Sequence, residues 1–263
     1  MLGKRELFFH WFNKLVFSIF YLRHQGKPTA VMQVEDGVKF KVHVNTSDAL
    51  MIWEIWKAQV YDDARIPICA GDVVVDMGAH IGAFAVRAAR LAQGGKVYAY
   101  EASSKNFALL TENRKLNNLG NLYIENSAVS NRCGMMPFYT PSDNRILGSL
   151  LQTTSGYVEM VPTTTFSDII TKHAIKQIDF LKIDVEGAEF DILFTNPNET
   201  LSKTRQIVME FHEFKDDKRS HYELVNLLSS QGFEVAVEKA KFPQPNWFGT
   251  KIAKIGIIKA WRR

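Results

Sequence analysis

Val73-Val74-Val75-Asp76-Met77-Gly78-Ala79-His80-Ile81-Gly82 is the stretch that decides how this 263-residue chain folds. Three β-branched residues run into an acid, two glycines and then an apolar segment. A short apolar run bounded by glycines reads as a buried strand. The glycines let the backbone turn sharply and approach a ligand at the start of the following helix. A second apolar run closes on Glu101. A carboxylate at the end of a second strand can accept hydrogen bonds from ribose hydroxyls. The stretch therefore predicts a strand, a tight turn and a helix start that hold the adenosine part of a cofactor.

Outward from this point the pattern alternates. Strands are expected at Val73–Asp76, Lys96–Glu101, Leu122–Asn126, Ile178–Asp184 and Gln206–Phe211. Helices are expected at Ile81–Ala92, Lys105–Asn117, Thr165–His173, Ala188–Phe194 and Lys218–Gln231. Such alternation predicts an α/β fold, a doubly wound, mostly parallel Rossmann-like sheet covered by helices on both faces. Upstream, Val31 to Val44 reads as a hairpin turning at Asp36-Gly37, and Asp48 to Tyr61 as a helix capped by Ser47 or Asp48. Downstream, Phe233–Ala240 and Ile252–Trp261 are strand-like, with only a Pro- and aromatic-rich loop between them. Without a crossover helix they must pair antiparallel. Residues 131–162 interrupt the alternation and read as an inserted hairpin, Met135–Tyr139 with Tyr157–Val161, around a polar loop. The partition is an N-terminal extension (1–30), a hairpin and helix leading into the core (31–70), and the main domain (71–263).

Composition narrows the class. At 46% hydrophobic and 23% charged, the chain is long enough to bury a sizeable core. Two cysteines, Cys69 and Cys133, suit a reducing, cytoplasmic setting. The net charge of +4 resides in residues 1–30, which hold five basic residues against Glu6. The remainder is neutral, which argues against a nucleic-acid partner. Between Leu7 and Leu22, Phe8, Phe9, Trp11, Phe12, Leu15, Val16, Ile19 and Phe20 fill one half of a helical wheel. Such a helix suits packing on the domain, packing on a second copy in a homodimer, or peripheral contact with a membrane surface. It is too short and interrupted to span a bilayer.

The spacing of the opening stretch separates cofactors. A dinucleotide site wants Gly-x-Gly-x-x-Gly. Here Asp76 precedes Gly78, and Gly82 follows four residues later. That form is similar to the first motif of class I S-adenosylmethionine-dependent methyltransferases. Four blocks extend the likeness: Val75 to Gly82; Asn126-Ser127-Ala128-Val129-Ser130; Val161-Pro162-Thr163-Thr164-Thr165-Phe166-Ser167-Asp168; and Leu181-Lys182-Ile183-Asp184-Val185-Glu186-Gly187-Ala188-Glu189. Together they resemble the FkbM family of methyltransferases over roughly residues 50–240. The resemblance implies a seven-stranded sheet ending in an antiparallel hairpin, S-adenosylmethionine as cofactor, and transfer of a methyl group to a hydroxyl of a sugar, glycan or natural product. It places Asp76, Gly78, Ala79, His80 and Gly82 around the methionine and ribose, His80 standing where the family often has Asn. Glu101 would hold the ribose hydroxyls, and Asn126 and Ser127 would lie beside the adenine.

Methyl transfer to an alcohol needs an in-line nucleophile about 3 Å away and a group to take its proton. The candidates lie at carboxyl ends of strands, where ligands bind in open α/β sheets. Asp184 and Glu186 end the fourth core strand and are expected to face the methyl group, with Asp184 touching the cofactor as well. Glu210 and His212 end the fifth and are expected to complete the acceptor pocket. Sequence leaves open which is the base. It also leaves open whether Glu186 merely caps the next helix. Tyr61 suits either closure over the cofactor or packing. Asp184, Glu210 and His212 could together hold a divalent ion, as oxygen and imidazole ligands can, but no metal-type spacing demands one and none is expected. The polar loop with Asn144, Arg145 and Ser149 is the candidate for acceptor selection. An amino-group methyltransferase would carry Asn/Asp-Pro-Pro-aromatic where this chain has Asp184-Val185-Glu186-Gly187. An N-methyltransferase and a non-catalytic cofactor-binding scaffold remain the alternatives.

Overall fold

The computed structural model describes residues 23–44, 46–141, 156–214, 218–239 and 252–262. Residues 7–22, the loop carrying Asn144, Arg145 and Ser149, and the loop Phe242–Gly249 lie outside them. Strands β1 (Thr29–Gln33) and β2 (Lys39–His43) form the expected antiparallel hairpin. Its turn uses left-handed backbone at Asp36 (φ 52°) and Gly37 (φ 75°). Helix α1 spans Asp48–Trp56 and stops five residues before the expected end. Gln59 adopts a left-handed φ of 50°, so the chain leaves the helix axis and Tyr61 is buried instead of lying on a helix surface.

The core alternates as its apolar runs require. Strand β3 (Val73–Met77) is followed by α2 (Ala83–Leu91), β4 (Lys96–Tyr100), α3 (Ser104–Leu116) and β5 (Leu122–Glu125). A three-stranded insertion comprises β6 (Ala128–Val129), β7 (Gly134–Pro141) and β8 (Gly156–Thr164). The β7–β8 hairpin matches expectation, while the parallel pairing of β6 with β8 is a non-local contact that periodicity does not reveal. The chain continues through α4 (Phe166–Lys172), β9 (Ile178–Ile183), α5 (Glu189–Leu193), α6 (Pro197–Ser202), β10 (Thr204–Phe214), α7 (His221–Ser230), β11 (Glu234–Lys239) and β12 (Ile252–Trp261). The six-residue α6 was not expected. It starts on Pro197, whose fixed φ suits a first helical turn.

The main sheet has seven strands in the order β11-β12-β10-β9-β3-β4-β5. The five strands from β10 to β5 are parallel, and β12 runs antiparallel to both β10 and β11. The terminal hairpin thus inserts its second strand beside β10. Alternation along β3 sends Val74 to one face and Val75 and Met77 to the other. On the first face Val74 and Phe180 pack with Phe84, Leu109 and Leu110, and this same core takes in Val42 of the hairpin and Ile52 and Trp56 of α1. The opposite face packs Leu181 and Ile183 against Phe166, Phe190 and Leu224. Residues 31–70 are fastened to the sheet domain by polar contacts as well. The Trp56 indole donates to the Ala83 carbonyl at 3.1 Å, and the Lys41 amide donates to Asn113 at 2.6 Å. None of the described helices is long and apolar enough to cross a membrane.

The chain runs from β3 outward to β4 on one side and later reaches β9 on the other. That reversal leaves a crevice at the carboxyl ends of β3, β4 and β9, where open α/β sheets bind ligands.

Candidate active site

The crevice is a cleft of about 590 Å³, counting space open to solvent. The glycine turn forms its floor. Gly78 has φ +82°, and a Cβ there would sit 1.8 Å from the Asp184 carbonyl oxygen. Only glycine lets the end of β3 lie this close to the end of β9. Gly82 has φ +90°, and a Cβ would meet Leu110 Cδ1 at 2.5 Å. The amides of Gly78 and Ala79 donate to the Tyr100 carbonyl at 3.0 and 2.9 Å, so the turn is fastened to the end of β4.

Glu101 lines the cleft immediately after β4. Its carboxylate accepts from the His80 amide at 2.8 Å and the Ser103 amide at 2.9 Å. Burial raises its pKa to about 7 against the opposing pull of these donors. His80 also lines the cleft, with a left-handed φ of 54°. Burial keeps its imidazole below the usual pKa. Both ring nitrogens lack a hydrogen-bond partner among the described residues. Ser127 lines the cleft with Ala128, Asn106 and Phe138. Asn126 does not: its amide donates to the carbonyls of Glu101 and Ala102 at 2.8 and 2.9 Å. The expected adenine-side residue instead braces the loop that carries the ribose-side acid.

Asp76 is likewise behind the cleft, not in its lining. It is fully buried and faces Lys182, its register partner on β9, with Nζ 3.1 Å from Oδ1. Lys182 Nζ also donates to the Gly78 carbonyl at 2.8 Å and lies 3.7 Å from Asp184 Oδ2. One ammonium ties the glycine turn to the acid after β9. Sequence reading quoted Lys182 but gave it no role. A lysine in the middle of a buried parallel strand was the available signal, since such a charge must be paired.

Beyond Gly78 the acids gather. Asp184 and Glu186 line the cleft. Glu210 and His212, expected as acceptor-pocket residues, stand one layer behind. They share a face of β10 because residues two apart on a strand point the same way. His212 is enclosed, with Nε2 3.1 Å from Glu186 and 3.7 Å from Glu210, and Nδ1 2.9 Å from Glu189. Those carboxylates raise the imidazole well above its usual pKa despite burial. Burial and the neighbouring acids push Glu186 and Glu210 each up to about 8. Glu186 does not cap the following helix. It has φ 54°, α5 begins at Glu189, and Glu189 accepts from the Gly187 amide at 3.0 Å. Two groups from upstream complete the cluster. The Tyr61 hydroxyl donates toward Asp184 at 3.1 Å and Glu210 at 3.4 Å. Burial and Asp184 raise Glu54 of α1 to about 7. Glu54 carried no local motif and Glu189 was quoted in the fourth block without a role; their part in the site follows from tertiary packing.

Asp184, Glu186 and His212 offer ligand atoms within 4.8 Å of one another, enough to surround a divalent cation. The carboxylates on both ring nitrogens hold the His212 imidazole well above its usual pKa, which favours an imidazolium as the positive charge at this place.

The sheet order, the glycine turn with Glu101 beside it, and carboxylates across the cleft define a class I S-adenosylmethionine-dependent methyltransferase. The residues fit that cofactor: a turn only glycine can make, and a buried carboxylate facing the cleft where ribose hydroxyls would lie. The model of the methyltransferase FkbM domain matches residues 76–235, and the chain belongs to this family. It is 30% identical to the 31-O-demethyl-FK506 methyltransferase FkbM of Streptomyces tacrolimicus over 81% of this chain and 91% of that protein. It is 25% identical to Methyltransferase 1 of Beauveria bassiana over 79% of this chain and 91% of that protein. A solved S-adenosylmethionine-dependent methyltransferase from Agrobacterium tumefaciens shares 15% identity over 89% of this chain and 70% of that one, with a TM-score of 0.45.

Proposed function

We propose that the enzyme methylates a hydroxyl group of a sugar, a glycan or another natural product. The observation that carries this reading is the set of buried carboxylates opening on the cofactor cleft. A hydroxyl is a poor nucleophile until its proton is shared, and an acid raised to about 8 is a far better base than an ordinary carboxylate. The FkbM relative is named for a 31-O-demethyl substrate, which agrees with oxygen as the acceptor atom.

When bound, the cofactor supplies an electrophilic methyl group on a sulfonium. Gly78 and Glu101, which line the cleft, would hold its adenosyl end. Asp184, held by Lys182 and Tyr61, faces the space beyond Gly78 and orients the acceptor hydroxyl in line. The cofactor would supply the methyl group to the acceptor oxygen and leave as the neutral thioether, and Glu186 or Glu210 would accept the hydroxyl proton. His212, between Glu186 and Glu189, stabilises the ionised form of that carboxylate until the proton arrives.

A nucleic-acid acceptor is disfavoured by the neutral charge of the chain after residue 30. The apolar half of residues 7–22 would be covered by the domain, a second copy or a membrane surface. Liposome flotation of the full chain against one lacking residues 1–24 separates the membrane from the other two. The test of the function is a radiolabelled methyl-transfer screen over free and lipid-linked glycans and hydroxylated natural products. Asp184→Asn should abolish transfer to the acceptor found while keeping affinity for S-adenosylhomocysteine. Full turnover by that variant would remove Asp184 from the mechanism.

A further inference from the structure

Tyr61 lies outside the residues matched by the family domain, yet it is packed into the centre of the acid cluster. Its ring is buried edge-on against Phe84 at 6.0 Å between centroids, and the Lys182 ammonium lies 5.8 Å over it. Packing accounts for the ring but not for the hydroxyl. The hydroxyl reaches two carboxylates on different strand ends, Asp184 Oδ2 at 3.1 Å and Glu210 Oε2 at 3.4 Å. It has one proton to donate, so it serves whichever of the two is ionised.

We propose that Tyr61 is a positioning residue that bridges Asp184 and Glu210 and fixes the two carboxylates relative to one another at the proton-accepting end of the cleft. Four features support this assignment. Burial and the surrounding acids hold the phenol well above its usual pKa, so it remains a donor throughout the working range. The groups facing the pair come from every neighbouring element: Glu54 from α1, Lys182 from β9, Glu186 after it, and His212 beside Glu210 on β10. Among these, Lys182 lies 3.7 Å from Asp184, while His212 lies 3.7 Å from Glu210. The Tyr61 hydroxyl hydrogen-bonds to both acids. A hydrogen bond donated to a carboxylate favours its charged form, so losing it must raise the proton affinity of Glu210.

The inference concerns the site in the proposed reaction, but its test needs no acceptor. Protein labelled with carbon-13 at glutamate side-chain carboxyls is titrated by NMR, with the Glu210 signal assigned as the one missing from Glu210→Gln. In Tyr61→Phe the Glu210 midpoint should rise by about half to one pH unit, roughly a three- to tenfold gain in proton affinity. This is the order expected when one charge-assisted hydrogen bond is shared between two acids. Calorimetric affinity for S-adenosylhomocysteine should stay within threefold of wild type, since Tyr61 does not line the cleft. An unchanged midpoint would overturn the proposal. So would a joint loss of cofactor affinity and thermal stability, which would make Tyr61 a packing residue. Because the midpoint is read on free protein, failure to find a hydroxyl acceptor leaves this outcome independent.

Discussion

Replacing Lys182 with Met tests how the two halves of the site are joined. Lys182 is 3% exposed and serves three groups at once: Asp76 at 3.1 Å, the Gly78 carbonyl at 2.8 Å and Asp184 at 3.7 Å. Methionine fills most of the volume but carries no charge. The fully buried Asp76 then keeps no cation within reach. Removing one member of a buried ion pair costs about 3–5 kcal/mol, because the remaining charge is left unsolvated. For a domain of this size each kcal/mol moves Tm by about 2–4 °C, so the variant should melt about 6–20 °C lower. The deficit has a definite pH dependence. Burial already raises Asp76 above its ordinary value, and losing Lys182 raises it further. A carboxyl with a raised folded pKa leaves stability intact below its unfolded pKa and removes it as pH rises through the folded one. Lys182→Met should therefore be closer to wild type near pH 4.5 than near pH 8. Adding Asp76→Asn removes the stranded charge and should restore at least half of the lost Tm at pH 8. Differential scanning calorimetry across pH measures all three quantities. A single variant that melts within about 2 °C of wild type at pH 8, or a double variant no better than the single, would refute the pairing argument.

Glu101→Gln should weaken S-adenosylhomocysteine binding about tenfold or more by calorimetry, since bonds to a charged group contribute about 1.5–3 kcal/mol. In wild type that affinity should increase as pH rises through about 7, where Glu101 ionises, and the variant should lose this dependence. Methyl transfer should rise as pH passes about 8, where Glu186 and Glu210 ionise. A rate flat from pH 6 to 9 would remove both as the base. EDTA should leave transfer unchanged, because the imidazolium of His212 supplies the charge among the carboxylates. Loss of activity restored by a divalent cation would show that Asp184, Glu186 and His212 bind metal instead.

Lys182 and Asn126 show where the sequence stopped. Both sit inside motifs that were recognised, and in both the motif concealed what the side chain does. Lys182 meets Asp76 only because β9 and β3 pair in a register that brings residues 106 apart in the chain side by side. Asn126 was placed beside the adenine by resemblance, but the amide reaches the backbone of the loop after β4. Tyr61 was displaced from its expected helix by one left-handed residue, Gln59, that no local pattern announced.

The sequence by itself determined the parallel α/β core, its antiparallel end, the glycine turn and the kind of cofactor. These rest on local chemistry: apolar runs make strands, glycine alone takes the turn at Gly78, and two strand runs without a helix between them must pair antiparallel. The tertiary structure decided how the acids work together. Asp184, Glu186 and Glu189 follow β9, Glu210 lies on β10, and Glu54 and Tyr61 come from upstream of the sheet, each ordinary in isolation. Burial beside one another raises the proton affinities of Glu54, Tyr61, Glu186 and Glu210, and the packing of α1, β9 and β10 against the cleft produces that burial.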